Sequence, residues 1–149
     1  MRYFLDTEFN GMGGDLISLA LAAEDGRELY LAIQCNNPGP WAAANVIPII
    51  NCDGALPLML VKTPTMIGMA VDAFMERDSD PVIIADWPDD IAYFCKTLIT
   101  GPGEMVNIPS LKFEIIRVDA YPTMLPGAIQ HNALWDARAL RHKVMGLDQ

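Results

Sequence analysis

Basic residues and cysteines are both scarce in this sequence of 149 residues. Only 10 Lys and Arg stand against 19 Asp and Glu, which gives a net charge of −9. Because phosphate contacts normally come from a surface rich in Lys and Arg, this balance argues against a protein that grips long stretches of nucleic acid. Cys35, Cys52 and Cys95 lack the CxxC spacing of zinc and redox sites. We expect them to be reduced, buried thiols in a cytoplasmic protein.

Long hydrophobic runs are absent as well. The longest one, over residues 16–23, is interrupted by Ser18 and is too short to cross a bilayer. The sequence reaches Asp6 after only three apolar residues from Arg2, so no signal-peptide core is expected. Apolar residues nevertheless make up 52% of the chain. This content and the length predict one globular domain over residues 1–149, with no membrane association.

Apolar periodicity and turn residues divide the chain into predicted strands and helices. The predicted strands cover residues 3–9, 16–23, 28–33, 81–85 and 113–118. The predicted helices cover residues 41–50, a segment that begins at the Thr63-Pro64 pair, 88–98 and 132–145, with a loop over 121–130. Three antiparallel strands followed by crossover helices predict an α/β fold, a mixed five-stranded sheet flanked by helices.

The first of three groups of polar residues lies on the first predicted strand. Asp6 and Glu8 are two positions apart, so their side chains point to the same face of that strand. Two carboxylates placed in this way suit hard cations such as Mg²⁺ or Mn²⁺. Alone, however, such a pair is more typical of a solvated strand face.

The other two groups lie at predicted helix starts. Asp86, Asp89 and Asp90 follow the fourth predicted strand, and His131 and Asp136 flank the start of the last helix. Ligand sites in such sheets collect at strand ends and helix N-termini, so we expect the three groups to meet. Taken singly, the acids could merely complement helix dipoles, and the histidine could be an ordinary loop residue.

In this order, two of the groups match the motifs of a known family. Asp6-Thr7-Glu8 matches its Asp-x-Glu strand, and residues 131–136 match its His-x-Ala-x-x-Asp motif. The chain therefore resembles the DEDD 3′–5′ exonuclease superfamily, which has a ribonuclease H-like fold. More narrowly, the chain resembles the compact mycobacterial-type 3′–5′ exoribonucleases of the DEDDh branch. The resemblance spans nearly the whole chain.

The middle motif departs from the family pattern. Asp86 stands where the family has Asn, and Asp90 falls at the position of the ligand. Asp90 is therefore our first choice for the middle metal ligand and Asp86 our second. Asp89, where the family commonly has an aromatic residue, could simply complement the helix dipole.

The resemblance also implies a set of site residues. Four carboxylates would hold two cations, Mg²⁺ or Mn²⁺, and these are Asp6, Glu8, Asp90 and Asp136. His131 would be the general base, because the unperturbed pKa of histidine is near neutral pH. The predicted substrate-binding residues are Thr7, Phe9 and Trp87. The two aromatic rings could stack on terminal bases, or equally belong to the core.

The activity implied is hydrolysis of single-stranded 3′ ends of RNA or DNA to nucleoside 5′-monophosphates, with RNA favoured. Because the chain is acidic, we expect a short, metal-dependent footprint on the nucleic acid. Two alternatives stay open: a non-catalytic nucleic-acid-binding relative, and a two-metal hydrolase of small nucleotides. The resemblance and the apolar composition also make a homodimer reasonable.

Overall fold

A computed structural model describes residues 1–51, 57–76, 78–118 and 124–147 of the chain. The strands are β1 (Arg2–Phe9), β2 (Leu16–Ala23), β3 (Glu28–Ile33), β4 (Leu58–Val61), β5 (Val82–Ala85), β6 (Ile99–Gly101), β7 (Glu104–Met105) and β8 (Lys112–Ile115). The helices are α1 (Pro40–Asn45), a 3₁₀ turn (Ile47–Ile49), α2 (Pro64–Met75), α3 (Pro88–Leu98) and α4 (Ala133–Val144).

Six of these strands form one mixed sheet in the order β4-β3-β2-β1-β5-β8. Strands β1, β2 and β3 are an antiparallel meander, whereas β4, β5 and β8 each pair in parallel with a neighbour. The short strands β6 and β7 form a separate hairpin. The parallel pairing of β1 with β5 brings the carboxyl ends of these two central strands to the same edge of the sheet.

Side chains of β1 alternate between two hydrophobic layers, because successive residues of a strand point to opposite faces. Tyr3 and Leu5 belong to the layer that contains buried residues of α2 and α3. Phe4 belongs to the other layer, where α4 contributes Ala133 and Ala137. The sheet is therefore covered by helices on both faces, and β1 lies between them.

The α/β class and the mixed sheet flanked by helices are confirmed, but the sheet has six strands rather than the five expected. The additional strand, Leu58–Val61, pairs with β3 over residues 30–33. Its four residues show no alternation of polar and apolar side chains. The strand can therefore be recognised only from its pairing with β3, some 25 residues earlier in the chain.

Other boundaries also differ from the sequence prediction. The helix expected over residues 41–50 ends at Asn45 and continues as the 3₁₀ turn, since Pro48 has no N–H to donate within a helix. The last strand covers Lys112–Ile115 and not residues 113–118, and the β6–β7 hairpin was not expected. Part of the predicted loop over 121–130, residues 121–123, lies outside the described residues.

Two further expectations can be compared with the structure. Cys35 and Cys95 are free thiols, half-buried rather than fully buried, and Cys52 lies outside the described residues. Among the helices of the described ranges, none combines the length and apolar content that crossing a membrane requires.

Candidate metal centre and active site

Two carboxylates of the site come from the central strand β1. Asp6 and Glu8 continue the series begun by Phe4, so they leave the strand on the face that α4 covers. Glu8 is only 8% exposed, and although Asp6 keeps some exposed surface, its Oδ2 atom is fully buried. The two acids are therefore not on a solvated strand face, the more typical position of such a pair.

The third carboxylate comes from the first turn of α4, and Asn132 fixes that turn. Its side-chain oxygen accepts a hydrogen bond from the backbone N–H of Trp135 at 3.3 Å, which caps the helix. Its amide nitrogen donates to the Ile49 carbonyl at 2.8 Å and to the Tyr30 hydroxyl at 3.2 Å. The buried cap thus ties the start of α4 to the 3₁₀ turn and to β3, and it determines where Asp136 lies.

These elements bring three carboxylates together. One oxygen from each of Asp6, Glu8 and Asp136 lies within 4.8 Å of the other two. Carboxylate groups this close repel one another when ionised, so a cation between them would be stabilising.

A second group of three forms at the ends of the parallel strands. The register pairs Phe4 with Ile84, so Asp6 and Asp86, each two residues further on, come level with one another. Asp90, in the first turn of α3, completes the group, and one oxygen from each of the three acids lies within 4.8 Å of the others. Asp6 belongs to both groups and would be the carboxylate they share.

Both sequence candidates for the middle ligand, Asp86 and Asp90, therefore lie beside Asp6. Asp90 is the more rigidly held of the two, because Thr7 donates to its Oδ1 atom twice: from its hydroxyl at 2.6 Å and from its backbone N–H at 3.1 Å. Asp89 is exposed and accepts a hydrogen bond from the Trp87 indole at 3.2 Å. Within the described residues it belongs to neither group.

Burial raises the pKa of every acid in the two groups, and repulsion between neighbouring carboxylates raises it further for all of them except Asp86. Burial is the main cause in each case; it raises the pKa of Glu8 to about 8, and that of Asp90 and of Asp136 to about 7. The pKa of Asp6 lies well above its ordinary value, through burial and the charges of its neighbours. Without cations, these carboxyl groups cannot all be ionised at neutral pH.

Two buried oxygens of the site, Asp6 Oδ2 and Asp90 Oδ2, have no hydrogen-bond partner among the residues that the structure describes. Buried polar atoms are nearly always satisfied, so each such atom needs a physical explanation. An all-carboxylate donor set is the kind that Mg²⁺ and Mn²⁺ prefer. The unpaired oxygens and the donor chemistry therefore fit a divalent cation.

His131 directly precedes the cap of α4 and has a φ of 62°, in the left-handed region. Its imidazole packs edge-on against the indole of Trp41, with the ring centroids 5.0 Å apart and the ring planes at 77°. Neither metal-binding group found among the described residues includes it. A hydrogen bond from its backbone lowers the pKa of Asp136, so the His131 backbone adjoins the carboxylate cluster while its imidazole contacts Trp41.

The predicted substrate-binding residues occupy three different environments. Thr7 is 5% exposed, and its hydroxyl is engaged with Asp90. Phe9 is half-buried and stacks on Tyr93, with the centroids 4.7 Å apart. Trp87 is 47% exposed and lies next to Asp86 in the chain. Of the three, Trp87 offers the most free surface beside the carboxylates.

Two residues near the site were not identified from the sequence. Trp41, on α1, contacts His131, and Arg117, just after β8, lies over the Trp87 ring with its guanidinium carbon 5.0 Å from the centroid. The charge of Arg117 lowers the pKa of Asp86, although burial raises that pKa by more. No local motif marks either residue, since each reaches the site through the topology of the sheet and its connections.

Comparison with known proteins gives a consistent but distant likeness. No family model matches the chain. Two curated proteins, each named 3′-5′ exoribonuclease and each from a strain of Mycobacterium tuberculosis, are 29% identical to it over 150 residues. The match covers 93% of this chain and 88% of each relative. The chain is thus similar to these mycobacterial proteins over nearly its whole length.

Proposed function

We propose that this protein is a metal-dependent 3′–5′ exonuclease of the DEDDh type that acts on RNA. The observation that carries the proposal is the convergence of five carboxylates from β1, α3, α4 and the end of β5, with Asp6 common to two groups of three. The relatives named 3′-5′ exoribonuclease support the same activity and favour RNA as the substrate.

The two groups suggest how the cations would be held. Asp6, Glu8 and Asp136 would bind one Mg²⁺ or Mn²⁺, and Asp6 and Asp90, with Asp86 beside them, would bind the other. Cations held by these carboxylates would supply a water of lowered pKa, a binding point for the phosphate and positive charge opposite the leaving oxygen. Without cations, the raised pKa values favour the protonated form of these acids. Bound cations would favour the ionised form, which is the form that binds metal.

The chain itself would supply proton transfer and positioning. His131 would accept the proton of the attacking water through its imidazole, a role that suits a histidine whose backbone adjoins the cluster. Thr7 would keep Asp90 in place through its two hydrogen bonds. Trp87, and to a smaller extent the half-buried Phe9, would present ring surface to terminal bases.

The acidic balance of the chain restricts the form of the substrate. With a net charge of −9, the protein would hold a few nucleotides at a single-stranded 3′ end and not a long tract. Hydrolysis with loss of the 3′ oxygen as leaving group would release nucleoside 5′-monophosphates. A single catalytic domain over residues 1–149, a cytoplasmic location and a homodimer stay predictions.

The proposal is tested by digestion of 5′-labelled single-stranded RNA and of the equivalent DNA, with Mg²⁺, with Mn²⁺ and with EDTA. The expected result is metal-dependent shortening from the 3′ end, faster on RNA, with nucleoside 5′-monophosphates as products. The Asp6→Asn variant should be inactive. Asp89→Asn is the matched control, because Asp89 is an exposed acid next to the cluster, and this variant should retain activity.

Two other outcomes would contradict the proposal. Release of inorganic phosphate, or cleavage of small nucleotides alone, would indicate a two-metal hydrolase of small nucleotides. Binding of RNA without any shortening, by a folded protein with metal present, would indicate a non-catalytic relative.

A further inference from the structure

Trp87 and Arg117 lie side by side because of the register of two parallel strands. Ala85 of β5 is paired with Ile115 of β8, and the backbone N–H of Ile116 donates to the Ala85 carbonyl at 2.9 Å. Two residues beyond this pairing, Trp87 and Arg117 come level with one another. The guanidinium of Arg117 therefore lies above the indole ring, 5.0 Å from its centroid, at the carboxyl edge of the sheet.

Arg117 differs from the other arginines whose contacts the structure describes. Arg2, Arg27 and Arg138 each form an ion pair with an acid at 2.6–2.8 Å. Among the ion pairs within the described ranges, none involves Arg117, and its side chain is exposed. A cation held over an aromatic ring keeps its planar N–H groups available for another partner.

The position of Arg117 relative to the carboxylates indicates what that partner is. Asp86 follows β5, and Arg117 follows β8, the next strand outward from β1. Neighbouring strands are about 4.8 Å apart, so Arg117 lies one such step to the side of Asp86. A phosphodiester undergoing cleavage would lie at the carboxylates and their cations. A guanidinium displaced to one side would meet a neighbouring phosphate, and its planar fork matches phosphate oxygens.

We propose that Arg117, held over the ring of Trp87, binds the phosphate next to the scissile phosphodiester of a single-stranded nucleic acid. The pair would supply a positive charge at the substrate in a chain with only 10 Lys and Arg against 19 acids. The inference rests on the proposed function, because it requires a polynucleotide at the carboxylates. It extends that function by assigning a phosphate contact that does not depend on metal.

The first experiment measures binding without turnover. Fluorescence anisotropy of a 5′-labelled oligoribonucleotide is recorded over a series of NaCl concentrations with Ca²⁺ in place of Mg²⁺, and gels check that the RNA stays intact. Arg117→Ala should weaken binding roughly tenfold or more, as expected for a lost charge-assisted contact. The dependence of log K on log[salt] should become shallower by about 0.7, the value for one phosphate contact on a single strand.

Lys112→Ala is the matched control, because Lys112 is an exposed cation at the opposite end of the same strand, paired with Asp80. It removes the same charge from the chain and should change neither affinity nor salt dependence. If Arg117→Ala behaves like Lys112→Ala while the parent protein binds RNA, the phosphate contact is refuted and the proposed function stands. If the parent protein itself does not bind, the proposed function fails.

The second experiment places the contact. Hydrolysis of a p-nitrophenyl ester of a nucleoside 5′-monophosphate, which has one phosphodiester, is compared with hydrolysis of an oligoribonucleotide. Arg117→Ala should raise KM for the oligoribonucleotide and leave the single ester unchanged, since the ester has no neighbouring phosphate. An equal loss on both substrates would place Arg117 at the scissile phosphate and overturn the assignment.

Discussion

Thr7 donates two hydrogen bonds to the same oxygen of Asp90, 83 residues further along the chain. Thr7 lies on the same face of β1 as Tyr3 and Leu5, the face that α3 covers, and Asp90 lies in the first turn of α3. With Oδ1 held in this way, the second carboxylate oxygen, Oδ2, is buried and has no hydrogen-bond partner within the described part of the chain. The contact therefore fixes the orientation of Asp90 and leaves one oxygen for the cluster around Asp6.

The first prediction concerns the hydroxyl of Thr7. Thr7→Val keeps the shape and the backbone N–H bond to Asp90 but removes the hydroxyl bond of 2.6 Å. We expect Mn²⁺ affinity and kcat to fall roughly 10–100-fold, the usual effect of losing a group that orients a metal ligand. Metal titration and initial rates measure both effects. Thr7→Ser restores the hydroxyl and should recover most of the loss, and a Val variant as active as the parent would refute this role.

The second prediction separates the three acids at the start of α3. Asp90→Asn should reduce Mn²⁺ affinity more than Asp86→Asn does, because Asp90 is 2% exposed and oriented by Thr7. Asp89→Asn should stay within about twofold of the parent, since the side chain is exposed and the amide oxygen of Asn can still accept the hydrogen bond from the Trp87 indole. Isothermal titration with Mn²⁺ gives the order directly. A larger effect for Asp86→Asn would reverse our choice of middle ligand.

The sequence predicts those parts of the site that depend on residues close together in the chain, and not those that depend on residues far apart. The alternation along β1 places Asp6 and Glu8 on one face, and the cap at Asn132 places Asp136 in a first turn, so local rules suffice for these residues. The choice between Asp86 and Asp90 was not decided by sequence. One ends a strand and the other starts a helix, and the structure brings both within reach of Asp6.

Other features depend on pairings that no local pattern encodes. Strand β4 becomes visible only through its pairing with β3, and Arg117 reaches Trp87 only through the register of β5 with β8. Trp41 meets His131 across 90 positions of sequence through the contact between α1 and the start of α4. Such features follow from tertiary packing, which overrides the short-range preferences on which sequence prediction relies.

The third prediction concerns His131 as the general base. Its φ of 62° favours residues that tolerate the left-handed region, and Asn is one of them. His131→Asn should therefore keep the thermal stability of the parent and lower kcat by about 10²–10⁴, the usual contribution of a general base. Melting curves and single-turnover rates separate the two effects. Full activity in this variant would assign the proton transfer to another group.

Trp41 gives a fourth prediction, because its indole packs edge-on against the His131 imidazole. Trp41→Ala should release the imidazole and lower kcat by roughly tenfold, whereas Trp41→Phe retains an aromatic edge and should lose less. If Trp41 positions the base, kcat should fall in Trp41→Ala while KM and the melting temperature stay close to those of the parent, and Trp41→Phe should recover most of kcat. An unchanged kcat, or a loss that follows the melting temperature, would show that the contact is structural only.

The last prediction is a dependence of stability on pH and metal. Glu8, Asp90 and Asp136 have ordinary pKa values of 4.5, 3.8 and 3.8, and in the folded protein these rise to about 8, 7 and 7. Between the ordinary pKa values and the raised ones, the folded state therefore binds more protons than the unfolded state. The stability that this protonation provides is fully present below pH 4 and is lost as pH rises through 7 to 8.

Metal-free protein should accordingly melt at a lower temperature at pH 8.5 than at pH 5, by roughly 5 °C or more. The acids with lowered pKa values, such as Asp25 and Asp78, change charge below pH 4 and do not oppose this trend. Saturating Mg²⁺ should flatten or reverse the profile, because cations favour the ionised carboxylates. Asp6→Asn should raise the metal-free melting temperature at pH 8.5 while weakening the response to Mg²⁺. A metal-free profile that is flat from pH 5 to 8.5 would contradict the raised pKa values of these buried, closely spaced carboxyl groups, and with them an argument for the proposed metal centre.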